Sequence, residues 1–358
     1  MPDVQSADAG GSKAAGRAPH RRDGKRIMAN EVRVFGTFGP TLHTCGQIEA
    51  MIRLGMTGIR LNLSHSSLEQ SREWIEALRL AEQKTGKKVE LLIDMKGPEL
   101  RVGRIENGIH LLCGDIVRFG ERIPVPPVVL SAAEKGDRVL LDDGKILAEV
   151  KRVGEGFFDG EIILGGKLTS NKSVAIEHKE LCQPPLCAED LENIRQIKAF
   201  GVDSVMQPFV RDASDLVKVR ETLDRFGANV KVYAKIESES GWKNLESLFP
   251  VCDEIVIARG DLANAVGLDW IPIVQHDIER RCKAAGKPYM VVTQMLDSMI
   301  ERPVPTRAEV NDVFHAVYDG ASSIMLTGEV ANSKNAQRAM KIFTDIVKNT
   351  VQYTRKEK

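Results

Sequence analysis

From residue 32 onward the chain repeats one unit, a short apolar run rich in β-branched residues followed by a longer amphipathic stretch. The runs fall at 32–38, 58–63, 89–95, 204–209, 230–236, 254–258, 289–293 and 323–326. Most carry no polar alternation, as expected of strands buried on both faces of a parallel sheet. Amphipathic stretches at 46–54, 68–83, 188–200, 213–226, 242–248, 271–285, 307–319 and 336–351 read as helices. Pro305 and then Thr306-x-x-Glu309 mark a helix start with a capping box. Eight βα units are the count of a TIM (β/α)8 barrel, which typically takes about 250 residues. The chain has 358, so length alone, at about 150 residues per domain, also allows two domains.

The rhythm breaks once, between Arg101 and Cys182, where hairpin signals replace long helices. Asp143-Gly144, between two apolar runs, is a hairpin turn signal. An insertion into a βα loop rises from the C-terminal face of a barrel, where active sites lie, and is expected to act as a lid. The expected division is therefore a disordered leader over 1–30, a barrel over 31–101 and 182–358, and an inserted β lid domain over 102–181 after strand three. The leader's basic run, His20-Arg21-Arg22 and Lys25-Arg26, reads as a solvated tail.

Lys plus Arg and Asp plus Glu both number 50, so no basic excess supports binding to nucleic acid by bulk charge. Aromatic residues are only 5%, so Val, Ile, Leu, Ala and Met must build most of the core. The six cysteines form no C-x-x-C pair and read as reduced thiols of a cytoplasmic protein. No apolar run approaches the ~18–20 residues of a membrane span. No His/Cys set has zinc spacing, and no P-loop occurs.

Polar residues cluster where the barrel strands end. Strand five closes with Lys235-Ile236-Glu237, and strand six is expected to close with Arg259-Gly260-Asp261. Glu237 and Asp261 could converge on one Mg²⁺, leaving coordination positions for substrate oxygens. Alternation puts Lys235 and Glu237 on one side. A fixed ammonium beside a divalent cation stabilises charge developing on a phosphoryl group or an enolate. Arg60, Asn62 and Ser64 share one face, and Asp94 ends strand three. Hard oxygen donors from Asn62, Ser64 and Asp94 could hold a monovalent cation. Thr293, after strand seven, offers a hydroxyl for hydrogen bonding or proton relay.

These segments, in this order, resemble the pyruvate kinase family. The matching stretches are Thr37-Phe38-Gly39-Pro40, Arg60 through His65, Lys96-Gly97-Pro98-Glu99-Leu100-Arg101, Gly136 through Ile146, Lys235-Ile236-Glu237 and Ala258 through Leu262. They continue with Ala285-Gly286-Lys287-Pro288, Thr293 through Met299, Pro305 through Val310 and Thr327-Gly328-Glu329, so the resemblance spans roughly 31–350. It implies phosphoryl transfer between phosphoenolpyruvate and ADP, giving pyruvate and ATP, the last step of glycolysis. By the same resemblance Glu237 and Asp261 bind Mg²⁺, and Lys235 stabilises the phosphoryl group in flight and the developing enolate. Thr293 lies near the methylene carbon, and amides around Gly260 and Asp261 hold the substrate carboxylate. Arg60 and Arg101 contact phosphates, while Asn62, Ser64, Asp94 and the Met95 carbonyl hold K⁺. Glu99 marks K⁺ dependence, and the inserted domain is implied to be a small β-barrel.

The chain departs from the family pattern in three places. Met95 replaces a usual Thr, Ala263 a usual Gly, and the return hinge reads Ala175-Ile176-Glu177-His178-Lys179-Glu180-Leu181. The chain also stops about one helix after the last barrel strand, which implies a short form without the family's C-terminal domain and favours a homodimer over a tetramer. Two other readings stay open: a non-catalytic phosphoenolpyruvate- or nucleotide-binding regulatory module, and a Mg²⁺-dependent aldolase or lyase of the same barrel type.

Overall fold

The structure, a computed structural model, describes residues 32–142, 144–181 and 183–356. The leader expected at 1–30, the turn residue Asp143 and the boundary residue Cys182 lie outside the described residues. Eight strands close into a barrel: β1 (Arg33–Thr37), β2 (Gly58–Asn62), β3 (Glu90–Asp94), β4 (Ser204–Gln207), β5 (Lys231–Ile236), β6 (Glu254–Ala258), β7 (Tyr289–Val292) and β8 (Ser323–Met325). Every neighbouring pair is parallel, and β8 pairs back onto β1, so the barrel leaves no sheet edge.

Two apolar layers follow from the two-residue pleat. Phe35, Leu92, Met206, Tyr233, Val256, Met290 and Met325 point inward and fill the barrel. Their neighbours, such as Ile59, Leu91, Ile93, Ile257 and Ile324, point outward against the helices. Gly58 is the necessary gap in the inner layer, since a Cβ there would lie 2.2 Å from Cε1 of Phe35. At the N-terminal mouth Arg33 donates to Tyr233 at 2.6 Å and to Glu90 at 3.0 Å, and it also pairs with Glu254. This buried plug closes the end of the barrel opposite the polar strand ends.

The helices mostly fall where the hydrophobic pattern places them, and Thr306 and Glu309 form the expected capping box. One expectation is corrected: β6 ends at Ala258, and Arg259-Gly260-Asp261 is not strand but the first turn of a helix, Arg259–Val266. The apolar run stops at Ala258, and the helix follows without an intervening loop. The stretch expected as one helix over 242–248 is two, Glu239–Lys243 and Leu245–Leu248, with Asn244 between them.

The inserted segment contains an antiparallel sheet in the order Val174–Ile176, Arg138–Leu141, Ile146–Gly154, Phe157–Leu164, Ile116–Phe119. A separate ribbon pairs Ile109–Leu111 with Gly166–Leu168. Among the described residues the two edge strands of the sheet do not pair with each other. The sheet has register shifts at Leu147/Ala148 and Val150/Arg152, where Ile146–Gly154 pairs with Phe157–Leu164. Its side chains form their own buried cluster, from Val102 to Ile176. No helix among the described residues is long and apolar enough to cross a membrane.

The packing at Gly58 gives a direct expectation for stability. Gly58→Ala forces the buried Phe35 ring to move and lowers unfolding free energy by about 2 kcal/mol, the usual range for overpacking. Phe35→Leu in the same chain recovers part of that loss, as chemical denaturation would report. Additive losses in the double variant would contradict this packing account.

Candidate active site

At the C-terminal end of the barrel, the inward row that begins with Phe35, Leu92 and Tyr233 turns polar. Arg60 stands two residues above Gly58, Asp94 two above Leu92, and Lys235 and Glu237 above Tyr233. Arg60 Nη2 lies 2.6 Å and Nε 2.8 Å from Asp94 Oδ2, a bidentate contact on one oxygen. Lys235 Nζ lies 3.3 Å from the same oxygen and 2.9 Å from Glu237 Oε1. The other oxygen of Asp94, Oδ1, is buried with no hydrogen-bond partner. Glu237 Oε2 accepts from the Phe209 amide at 3.0 Å, which fixes that carboxylate across two strands.

Burial alone would lower the Lys235 pKa, but the Asp94 and Glu237 carboxylates outweigh it and hold the ammonium charged. Burial pushes the Glu99 carboxyl up, against the pull of Arg101 and Lys235. For His65, burial and then Arg101, Arg60 and Lys172 lower the imidazole pKa, which keeps the ring neutral near pH 7.

A cavity of about 960 Å³ opens over these groups. It brings together Arg60, Asn62, Ser64, Asp94, Met95, Arg101, Lys235, Glu237, Gly260, Asp261 and Thr293, all the candidate residues read from the sequence. Asn62 Oδ1 accepts from the Ser64 amide at 3.1 Å. Arg101 Nη2 lies 2.7 Å from Glu99 and Nη1 donates to the Asn171 carbonyl at 2.6 Å, while Nε is buried and unpartnered. Asp261 and Gly260 sit in the first turn of a helix with no side-chain cap. First-turn amides of that kind favour an anionic ligand.

The donors present match two kinds of cation. Glu237 and Asp261 are a two-carboxylate set facing open cavity, which suits Mg²⁺ bound partly through substrate oxygens. Asp94 Oδ1 is an orphaned anionic oxygen beside Asn62 and Ser64, which suits a monovalent cation.

Arg259, noted at the end of strand six, and Lys145, Asp297 and Asp312 are charged wall residues to which the sequence assigned no role. Arg259 and Asp312 meet at 2.8 Å from different helices. Thr293 and Gln294 have φ of 78° and 54°, a conformation costly for any residue but glycine and most of all for a β-branched one. Neither residue type signals this in the sequence.

Asp297, which lines the cavity, supplies a pH test. Burial, and then Glu329 and Glu309, push its carboxyl up. A carboxyl raised in the folded state favours folding when protonated, so its ionisation destabilises the protein at neutral pH. Asp297→Asn therefore melts higher than the native chain at pH 7. The gain shrinks as pH falls through the raised folded value and disappears near the unfolded value of about 4. A variant that melts lower at pH 7 would contradict this electrostatic picture.

The family model for the barrel domain of pyruvate kinase matches residues 29–340. The pyruvate kinase of Mycobacterium intracellulare is 35% identical over 330 residues, 89% of this chain and 70% of that protein. That of Aeropyrum pernix is 37% identical over 313 residues, 86% of this chain and 68% of its own length. That of Geobacillus stearothermophilus is 32% identical over 338 residues, 91% of this chain and 58% of its own length. A closed parallel barrel, a cation-rich cavity at its C-terminal mouth and these matches agree, and the chain belongs to the pyruvate kinase family.

Proposed function

We propose that the chain moves the phosphoryl group of phosphoenolpyruvate to ADP, giving pyruvate and ATP in the cytoplasm. The observation that carries this reading is the Lys235 ammonium, fixed between Asp94 and Glu237 at the floor of the cavity. In the transfer, the bond from phosphorus to the enol oxygen breaks and one to an ADP β-phosphate oxygen forms. The enolate left behind takes a proton at its methylene carbon. A loose phosphoryl transition state needs positioning and positive charge more than a covalent partner, and this cavity is built of both.

Lys235 would sit against the phosphoryl group and the enolate oxygen, with Arg60 and Arg101 on the phosphates. The amides of Gly260 and Asp261 would hold the substrate carboxylate, and the Thr293 hydroxyl would stand near the methylene carbon. Mg²⁺, held by Glu237 and Asp261 when bound, would neutralise charge on phosphate and enolate oxygens. Asp94 Oδ1, Asn62, Ser64 and the Met95 carbonyl would hold K⁺, which answers the orphaned buried oxygen.

The inserted segment would act as a lid that excludes water during transfer. Its hinge, though unusual in sequence, is tied down on both sides. Lys179 reaches Glu134 at 2.7 Å and Asp137 at 2.8 Å, and Ser240 donates to Glu180 at 2.7 Å. A cleft of about 190 Å³ runs between this hinge and Glu237, Asp261 and Asn264.

An assay coupling pyruvate formation to NADH loss tests the reading. Turnover with phosphoenolpyruvate, ADP, Mg²⁺ and K⁺ should fall by roughly 10²–10³ in Lys235→Met, the scale of losing one key electrostatic group. Replacing K⁺ with tetramethylammonium should depress the native rate sharply. Turnover equal to that of Lys235→Met would overturn the reading, and an unchanged rate without K⁺ would remove the cation from it.

A further inference from the structure

We propose that Arg259 and Asp312 form a positioning couple that holds Thr293 in its left-handed backbone conformation and so aims its hydroxyl at the reacting carbon. The inference deepens the phosphoryl-transfer reading above and rests on it for the identity of that carbon.

Three elements meet at this point. Thr293 directly follows β7, Arg259 opens the helix Arg259–Val266, and Asp312 lies on the helix Arg307–Tyr318. The Arg259 guanidinium donates to the Thr293 carbonyl from Nε at 3.1 Å and from Nη2 at 2.7 Å. Nη2 also reaches the Gln294 carbonyl at 3.3 Å. Both accepting residues have positive φ, 78° and 54°, so the guanidinium binds the two carbonyls of the strained turn. Asp312 places each of its oxygens 2.8 Å from Nη1 of the same guanidinium, whose side chain is only 12% exposed.

A strained turn persists only where its surroundings over-determine it. A planar fork with fixed donors is suited to that task, and the half-buried Asp312 carboxylate that fixes the fork extends it. Cγ2 of Thr293 lies close over Gly260, where an added Cβ would come 3.3 Å from it. Thr293 lines the cavity, so a clamp on its backbone sets where its side chain meets that space. Neither Arg259 nor Asp312 is assigned to the chemistry itself.

Asp312→Asn keeps the shape of the side chain and removes its charge. Because a misplacement of about 1 Å costs up to ~10²-fold in rate, kcat should drop roughly 10- to 100-fold. The KM for phosphoenolpyruvate should stay within about threefold, the pattern of a lost transition-state interaction. The solvent deuterium isotope effect should rise as proton delivery becomes limiting, and Asp312→Glu should restore part of kcat. Gln294→Gly in the Asp312→Asn background should also recover kcat, because glycine adopts positive φ without strain. A crystal structure of Asp312→Asn should show φ at Thr293 turned negative.

An Asp312→Asn variant with native kcat, with KM raised at constant kcat, or with reduced kcat but φ at Thr293 unchanged would overturn the proposal. If Asp312→Asn fails to fold, Arg259→Lys carries the same expectations, since an ammonium cannot reproduce the fork. If the native chain does not turn over phosphoenolpyruvate, the functional reading fails, while the backbone angle in the variant still decides the couple.

Discussion

The two-residue pleat of the barrel strands is the constraint on which the site depends. It sends one row of side chains into the barrel and the next against the helices. Along the inward row, Phe35, Leu92, Tyr233 and Met290 fill the interior. Two residues beyond Gly58, Leu92 and Tyr233 the same row delivers Arg60, Asp94 and Lys235 to the open end. Core and chemistry are therefore parts of one pattern. A one-residue slip in any strand would bury its charged residue among helices and expose its apolar one. Barrel closure prevents that slip, because every strand is paired on both sides.

Charge is arranged with equal economy. Asp94 is nearly inaccessible, yet one of its oxygens serves both Arg60 and Lys235. Glu237 shares Lys235 and is itself anchored by the Phe209 amide. An isolated charge at this depth would be costly, whereas here each charge has an opposite partner within hydrogen-bond reach. The opposite mouth, with Arg33 among Glu90, Tyr233 and Glu254, uses similar chemistry to close the barrel. The upper set lines a cavity and includes an anionic oxygen, Asp94 Oδ1, left without a partner.

Much of this was legible in the sequence. All eight apolar runs are barrel strands, and the polar residues at their ends share one cavity. What escaped depends on long-range placement. Arg33 meets Glu254 across 221 positions, and Arg259 meets Asp312 across 53, neither of which local periodicity encodes. Arg259 through Asp261 reads as a strand end because the apolar run before it holds no turn residue, although the helix begins at once. The start of the second helix also fell later than its pattern suggested, at Arg72. There Leu68 donates to Asn193 and Ser71 supplies no side-chain cap. The positive φ of Thr293 and Gln294 is invisible in the sequence, since neither residue is glycine and the guanidinium bound to their carbonyls comes from Arg259, 34 positions before Thr293.

The central claim is that this inward row builds a phosphoenolpyruvate site around Asp94 and Lys235. It is tested most directly by a crystal structure grown with phosphoenolpyruvate and Mg²⁺, with Tl⁺ standing in for K⁺. The account predicts the phosphoryl group between Arg60 and Lys235, the carboxylate on the amides of Gly260 and Asp261, and anomalous density beside Asp94 Oδ1. A ligand seated only in the hinge cleft, or an Asp94 Oδ1 that still lacks a partner, would contradict it.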